Sequence, residues 1–247
     1  MKVSHEWHKD FFKNSFYNPA SPAAVAKAPQ EAAFVLKKLK LKKGAKILDL
    51  CCGPARHSVL LAKKGFEVTG YDYSAEYLKE AAQRAKKAKV ELRLLRGDMR
   101  RLKFSGEFDA AINLFTSFGY FQRKADDIKT LKGVARALKP GGKLMIDIIH
   151  GDFVHKHYRP RNWTRLEDGS YHLEESEIYK DGIINTWTRL RKGKAQTLRF
   201  FSRLYTRRSM SAALLQAGLK PLKFWGSFTG KPLTPDTNRL IVLAQIK

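Results

Sequence analysis

Cysteine is nearly missing from this 247-residue chain: Cys51 and Cys52 are the only two, and adjacent residues cannot staple distant parts of a fold. A secreted disulfide scaffold is therefore excluded. No apolar run approaches the roughly 20 residues that cross a bilayer as a helix. The first residues, Met1-Lys-Val-Ser-His-Glu-Trp-His, carry charge and aromatics where a secretory signal needs an apolar stretch. A cytoplasmic address with no membrane partner is the expectation. Acid is scarce as well, with 23 Asp and Glu against 48 Lys and Arg, a formal net charge of +25. From Gly182 to Pro235 there is no acidic residue, while Arg189, Arg191, Lys192, Lys194, Arg199, Arg203, Arg207 and Arg208 crowd together. Such a balance suits a polyanion, a phosphorylated substrate, an anionic membrane surface or plain solubility, because net charge steers association without specifying a fold. The dinucleotide glycine fingerprint is also lacking, since Gly53 is followed by Ala55 and His57 rather than by two more glycines. That argues against a nicotinamide cofactor.

What is present is an alternating pattern. Trp7, Phe11, Phe12, Phe16 and Tyr17 lie at near-helical spacing and predict a short aromatic helix. A second helix is predicted over Ala23–Leu39, where Val25, Ala28, Ala32, Val35, Leu36 and Leu39 recur at about 3.6 residues. Strand, turn and helix then repeat. Strands are predicted at Lys46–Leu50, Glu67–Tyr71, Glu91–Leu95, Phe108–Leu114 and Lys143–Ile149. Helices fall between them at about Ala55–Lys64, Ser74–Lys87 and Ala125–Leu138, with a turn at Lys139-Pro140-Gly141-Gly142. This order predicts an α/β fold with a doubly wound parallel sheet. Past His150 the rhythm becomes antiparallel. Strands at Trp163–Arg165, Tyr171–Tyr179, Ile183–Arg191 and Ala195–Tyr205 are joined by Asp168-Gly169, Asp181-Gly182 and Lys192-Gly193 turns. A helix at Arg207–Ala217 and strands at Lys220–Trp225 and Leu240–Ile246 return to the first sheet. The implied organisation is a helical cap over 1–40, a core over 41–150, an antiparallel insertion over 151–206 and a return over 207–247.

The chemistry gathers at strand ends. In an open parallel sheet the ligand crevice lies beyond the carboxyl ends of the strands, and Gly53 lets backbone approach a ligand there. Asp72, about twenty residues beyond that loop, is placed to accept hydrogen bonds from ribose hydroxyls. Asp98, after the third strand, would meet an adenine edge, with Met99 packing on the ring. Either acid alone reads equally well as a helix cap. Both at successive strand ends, with Gly53 on the first, point to an adenosine-containing cofactor.

With these pieces in order, the chain resembles the class I S-adenosylmethionine-dependent methyltransferases. The matching segments are Leu48-Asp49-Leu50-Cys51-Cys52-Gly53-Pro54-Ala55, Gly70-Tyr71-Asp72, Gly97-Asp98-Met99, Phe108-Asp109-Ala110-Ala111 and Leu138-Lys139-Pro140-Gly141-Gly142. The resemblance implies a seven-stranded, mostly parallel Rossmann-like sheet whose last strand is antiparallel, with the β insertion after strand five. It implies S-adenosyl-L-methionine as cofactor. Asp49, Cys51 and Gly53 would hold the methionine end, Asp72 the ribose and Asp98 the adenine amino group, with Tyr73, Met99 and Leu114 completing the cofactor set. Cys51 and Ala55 stand where the usual loop has glycine.

The stretch Asn113-Leu-Phe-Thr-Ser-Phe-Gly-Tyr-Phe121 is similar to that of small-molecule N-methyltransferases, and a small-molecule acceptor methylated on nitrogen or oxygen follows from that similarity. It lacks the Asn-Pro-Pro-Tyr signature of nucleobase amino methyltransferases. Methyl transfer is an in-line displacement, so positioning does most of the work and a base is needed only for a protonated nucleophile. Tyr120 and His150 are the candidate catalytic groups. Each also has a plain reading, Tyr120 as packing beneath the insertion and His150 as a partner of a loop carbonyl. His150, His155 and His157 lack a carboxylate or cysteine at ligand spacing, so no metal is expected. Two rivals use the basic insertion, with Trp187, Phe200, Phe201 and Tyr205 interleaved: an RNA methyltransferase, or a non-catalytic nucleic-acid-binding module on the same fold.

Overall fold

The computed structural model describes residues 3, 4, 7 and 18–246. The predicted aromatic helix lies outside the described residues except for Trp7. Helix α1 (Pro22–Leu39) starts where Ser21 Oγ accepts from Ala24 N, with Pro22 in the first turn, and ends with Lys37 and Lys38 against the negative end of its dipole. Then come β1 (Lys46–Leu50), α2 (Arg56–Lys63), β2 (Glu67–Asp72), α3 (Ala75–Ala88), β3 (Arg93–Arg96), a 3-10 turn (Met99–Arg101), β4 (Phe108–Asn113), α4 (Lys124–Ala137) and β5 (Leu138–Ile149). A short helix α5 (Gly151–Lys156) leads to β6 (Arg161–Arg165), β7 (Tyr171–Tyr179), β8 (Gly182–Arg191) and β9 (Lys194–Arg203). Helix α6 (Arg207–Gln216), β10 (Leu219–Trp225) and β11 (Arg239–Ile246) close the chain.

The main sheet has the order β10-β11-β5-β4-β1-β2-β3, and β11 runs antiparallel to both its neighbours. Sequence order reverses between β1 and β4, the switch point at which a crevice opens. One face of the sheet buries Val35, Leu39 and Leu61 from α1 and α2. The other buries Leu131, Val134, Met210 and Leu214 from α4 and α6. Burying side chains of this size contributes about 1.5–3 kcal/mol each relative to exposure, so the two layers hold the strand ends rigidly.

The antiparallel insertion forms its own four-stranded sheet, β6-β7-β8-β9. Its packed side holds Ile184, Leu198 and Phe200 against Val3 and Trp7. The β8–β9 hairpin turns at Lys192-Gly193, both at positive φ, as the tight-turn reading requires. The β7–β8 turn differs from expectation by one residue: Lys180-Asp181 make it and Gly182 already pairs with Tyr179. A Cβ at Gly182 would lie 2.3 Å from the Phe201 ring, so this glycine serves packing rather than the turn. The predicted Lys139–Gly142 turn is there as well, but as a bulge inside β5. Partners advance from Phe108↔Leu138 to Ala110↔Lys143, looping out the intervening residues. Helix α5 had no signal in the sequence.

Candidate active site

A cleft opens over the carboxyl ends of β1, β2, β3 and β4. Its floor is the loop after β1. Cys51, Gly53 and Ala55 all sit at positive φ, 59°, 53° and 59°. Alternation of these residues with ordinary backbone turns the chain sharply into α2, and Cys51 N and Cys52 N donate to Tyr71 O at 2.7 and 3.3 Å. The loop is tied to β2 by Asp72, whose Oδ2 accepts from Gly53 N at 2.8 Å and whose Oδ1 accepts from Ser74 N at 2.9 Å. Burial pushes the Asp72 carboxyl above its ordinary range, against the backbone donors. A carboxylate oxygen takes more than one donor, so each keeps capacity for a hydroxyl of a ligand.

Asp49 is also buried, which raises its carboxyl, and it accepts from Ser58 Oγ at 2.5 Å. Asp98 is different. Burial works against its charge, but Arg100 holds both carboxylate oxygens, from Nε at 3.0 Å and Nη2 at 2.6 Å, and keeps it below the usual range. Met99 Sδ lies 3.6 Å from Cys51 Sγ, and Leu114 and Tyr73 line the cleft beside them. Both cysteine thiols are pushed well up by burial and by the nearby Asp72 and Asp49, so neither is a thiolate nucleophile.

The facing wall is the segment after β4. Phe115 and Thr116 take consecutive positive φ, 61° and 56°. This costly geometry for non-glycine residues is over-determined: Asp147 Oδ2 and O accept from Phe115 N and Thr116 N, and Arg239 bridges Asp147 Oδ1 and Thr116 Oγ1. The Arg56 guanidinium stacks 3.9 Å from the Phe115 ring centroid. Further along, Tyr120 lines the cleft and packs its ring edge-on to Trp7 at 5.2 Å.

The methyltransferase-domain family matches residues 47–142. A protein named as methyltransferase YqeM from Bacillus subtilis (strain 168) is 44% identical over 114 residues, 46% of this chain and 45% of its own length. A glycine/sarcosine N-methyltransferase from Halorhodospira halochloris is 29% identical over 224 residues, 89% of this chain and 82% of its own. In fold, an S-adenosylmethionine-dependent methyltransferase from Clostridium acetobutylicum ATCC 824 superposes with a TM-score of 0.80 at 22% identity, covering 97% of this chain and 98% of that one. Residues 47–142 carry a methyltransferase domain, and the chain has the fold of solved S-adenosylmethionine-dependent methyltransferases. It spans about half the length of the Bacillus relative and most of the Halorhodospira one.

The cleft fits S-adenosylmethionine on its own chemistry: a nine-tenths buried carboxylate, Asp72, over a loop whose Gly53 presents bare backbone, flanked by the apolar Met99 and Leu114. Asp49, Cys51, Gly53, Asp72, Tyr73, Asp98, Met99, Leu114 and Tyr120 all reach it. His150 does not. Its ring is buried at the end of β5, with Nδ1 3.2 Å from Thr237 O and Nε2 3.1 Å from Asp152 Oδ2, so it partners a loop carbonyl and the start of α5. Asp98 reaches the cleft with both oxygens committed to Arg100, a partner two residues away that the sequence reading did not weigh.

Sequence reasoning also missed a buried polar cluster beside the loop. His57 Nε2 lies 2.7 Å from Glu31 Oε2, Arg56 Nη2 is 3.7 Å from the same oxygen, and Arg56 Nη1 donates to Pro19 O at 2.5 Å. Arg56 and His57 line the cleft. Burial opposes the charge on Glu31, yet His57 and Arg56 hold its carboxyl below the usual range. The signal that could have found it is Glu31 itself, an acid inside the apolar stripe Ala28, Ala32, Val35, Leu39 of α1.

Proposed function

We propose that this methyltransferase moves a methyl group to a nitrogen of a small-molecule acceptor held between the loop after β1 and the aromatic wall under the insertion. The observation that carries this reading is the enclosure: Trp7, Tyr120 and Phe121 close the cleft beneath the second sheet, and Tyr120 and Phe200 both pack on Trp7. A wall of this kind excludes water from a small nucleophile, which matters more to an in-line displacement than an acid or base does. The 29% identity to a glycine/sarcosine N-methyltransferase across 89% of this chain supports nitrogen as the acceptor atom.

When bound, S-adenosylmethionine supplies a sulfonium methyl to the acceptor's lone pair, and the new bond to nitrogen forms as the carbon–sulfur bond breaks. The chain positions the reactants. Asp72 orients the nucleoside through the ribose, Asp49 and the 51–55 loop fix the methionine end, and the Phe115–Tyr120 wall sets the direction of approach. Of Tyr120 and His150, Tyr120 is the one that lines the cleft, and there it orients the nucleophile.

The test is labelled methyl transfer from S-adenosylmethionine into cell extract divided into small-molecule, protein and RNA fractions, with Asp72→Asn as control. Label in the small-molecule fraction, lost in the variant, supports the proposal. Label in nuclease-sensitive RNA overturns it. Asp72→Asn keeps one acceptor oxygen and loses the charge, so cofactor affinity measured by calorimetry is expected to fall at least about tenfold, the size of one charge-assisted hydrogen bond, with unchanged circular dichroism.

A further inference from the structure

The basic insertion is the surface on which the sequence concentrates positive charge, yet five of its arginines hold carboxylates in the fold. Arg161 lies 3.3 Å from Glu175, Arg189 and Arg191 lie 2.7 and 3.7 Å from Asp168, Arg199 lies 3.8 Å from Glu177 and Arg203 lies 2.8 Å from Asp127. A second concentration of positive charge lies elsewhere. A groove runs between the Met99–Arg101 turn, α4 and the end of α6 at Gln216. Its lining includes Arg100, Arg101, Lys124, Lys129, Lys132 and Arg136, and among the described residues no carboxylate. Arg100 is held by Asp98, and Arg136 donates to the Leu102 and Phe104 carbonyls. Among the described residues, Arg101, Lys124, Lys129 and Lys132 form no ion pair.

Parts of this arrangement work against the helix. Lys124 opens α4, where the positive end of the helix dipole disfavours a cation. Lys129 and Lys132, and Lys132 and Arg136, are spaced three and four residues apart, where like charges repel across one turn. A polyanion laid in the groove relieves both costs. From Lys124 to Arg136 the helix rises by about 18 Å, long enough for a run of phosphates rather than for one. The floor is Leu102, Ile128 and Gly133, and among the described residues no aromatic side chain lines it to stack a base. Arg100 lines both this groove and the cofactor cleft, so the two adjoin there.

We propose that this groove binds a single strand of nucleic acid through its phosphates, without reading its bases. The site is distinct from the acceptor pocket and does not depend on what that pocket methylates. The test uses the full chain and a fluorescent oligouridylate, with binding read by anisotropy across a salt series, without S-adenosylmethionine. Lys129→Gln/Lys132→Gln is compared with two variants of equal charge change: Lys79→Gln/Lys86→Gln on the exposed side of α3, and Lys192→Gln/Lys194→Gln on the β8–β9 hairpin. The groove variant is expected to lose about tenfold in affinity at moderate salt, and its log–log salt slope to shrink by about 1.4, two phosphate contacts on a single strand. The other two variants are expected to change affinity less than about threefold. An oligothymidylate is expected to bind like the oligouridylate, because phosphates alone are engaged. Equal losses in all three variants would reduce the effect to net charge and overturn the proposal. Loss confined to the hairpin variant would overturn it in favour of the insertion, and no binding by the unaltered chain would overturn it outright.

Discussion

At the scale of single residues, the loop after β1 shows what the replacement of glycine costs. Cys51 and Ala55 keep the left-handed backbone that glycine adopts freely, each at a cost of about 1–2 kcal/mol. Packing offsets it, since Ala55 is wholly buried beside Val59, Ala81 and Ala85. Ala55→Gly relieves that strain but gives up a buried methyl, worth about 0.8 kcal/mol, and adds freedom to the unfolded chain, another 0.4–1 kcal/mol or so. These contributions nearly cancel. Ala55→Gly is expected to shift stability by less than about 1 kcal/mol, while Ala81→Gly, buried in the middle of α3 with no strain to relieve, destabilises by about 1.5–2 kcal/mol. Urea unfolding of both variants checks this, and equal losses would show that Ala55 carries no strain. Gly97 is the opposite case: a Cβ there would sit 1.9 Å from Tyr71 Oη, so this glycine is required by the cleft floor.

At the scale of elements, Arg203 couples the insertion to the segment after β4. Its guanidinium reaches Asp127 on α4, Asp181 in the β7–β8 turn, and the carbonyls of Phe121 and Gln122 at 2.9 and 3.0 Å; its backbone N donates to Gly119 O at 2.7 Å. Tyr205 Oη donates to the same Asp127 oxygen at 2.9 Å. Breaking a buried pair from one side leaves an uncompensated charge, so Arg203→Met is expected to destabilise by about 3–5 kcal/mol in urea. The double variant Arg203→Met/Asp127→Leu, which leaves no buried charge, is expected to recover part of that loss. Additive losses would show that the two side chains act apart. The elements themselves were largely legible: β1 and β7 run over the residues expected, because apolar strands and turn dipeptides are local signals. Helix α5 was not, because Gly-Asp-Phe-Val-His-Lys is too short to carry a period, and His150 turns away from the cleft to begin it.

For the whole molecule, stability against pH reflects carboxyls displaced in both directions. Burial pushes the Asp127 carboxyl up to about 6 despite Arg203 and Tyr205. An unfolded aspartate titrates near about 3.9. Between these values the folded chain keeps a proton that the unfolded chain has released, so the contribution of Asp127 is full below about pH 4 and is lost as pH rises through about 6. Glu31 and Asp98 act in the other direction, since their folded carboxyls lie low and their contribution fades on acidification. Asp127→Asn removes only the first effect. The stability of the native chain relative to this variant is expected to decline as pH rises from 4 to 6 and then level off, in urea titrations at each pH. A difference constant across that window would show that the buried carboxyl does not titrate there.

The chain's own order of residues determined the alternation of strands and helices, the antiparallel interruption after β5, and the acids at the ends of β1, β2 and β3. Each is written in local periodicity, turn chemistry or spacing. Only the tertiary structure decided how those groups are used. Pairing of β5 with β11 turns His150 toward Thr237, a side chain two residues away takes both oxygens of Asp98, and Glu31 from α1 is carried across to His57. It also decided which cations meet an acid, because Asp168 and Asp127 are brought to Arg191 and Arg203 of the insertion, while Lys129 and Lys132 on α4 line a groove without one. Long-range pairing of polar groups depends on which elements meet in space, and one chain's local pattern does not encode that.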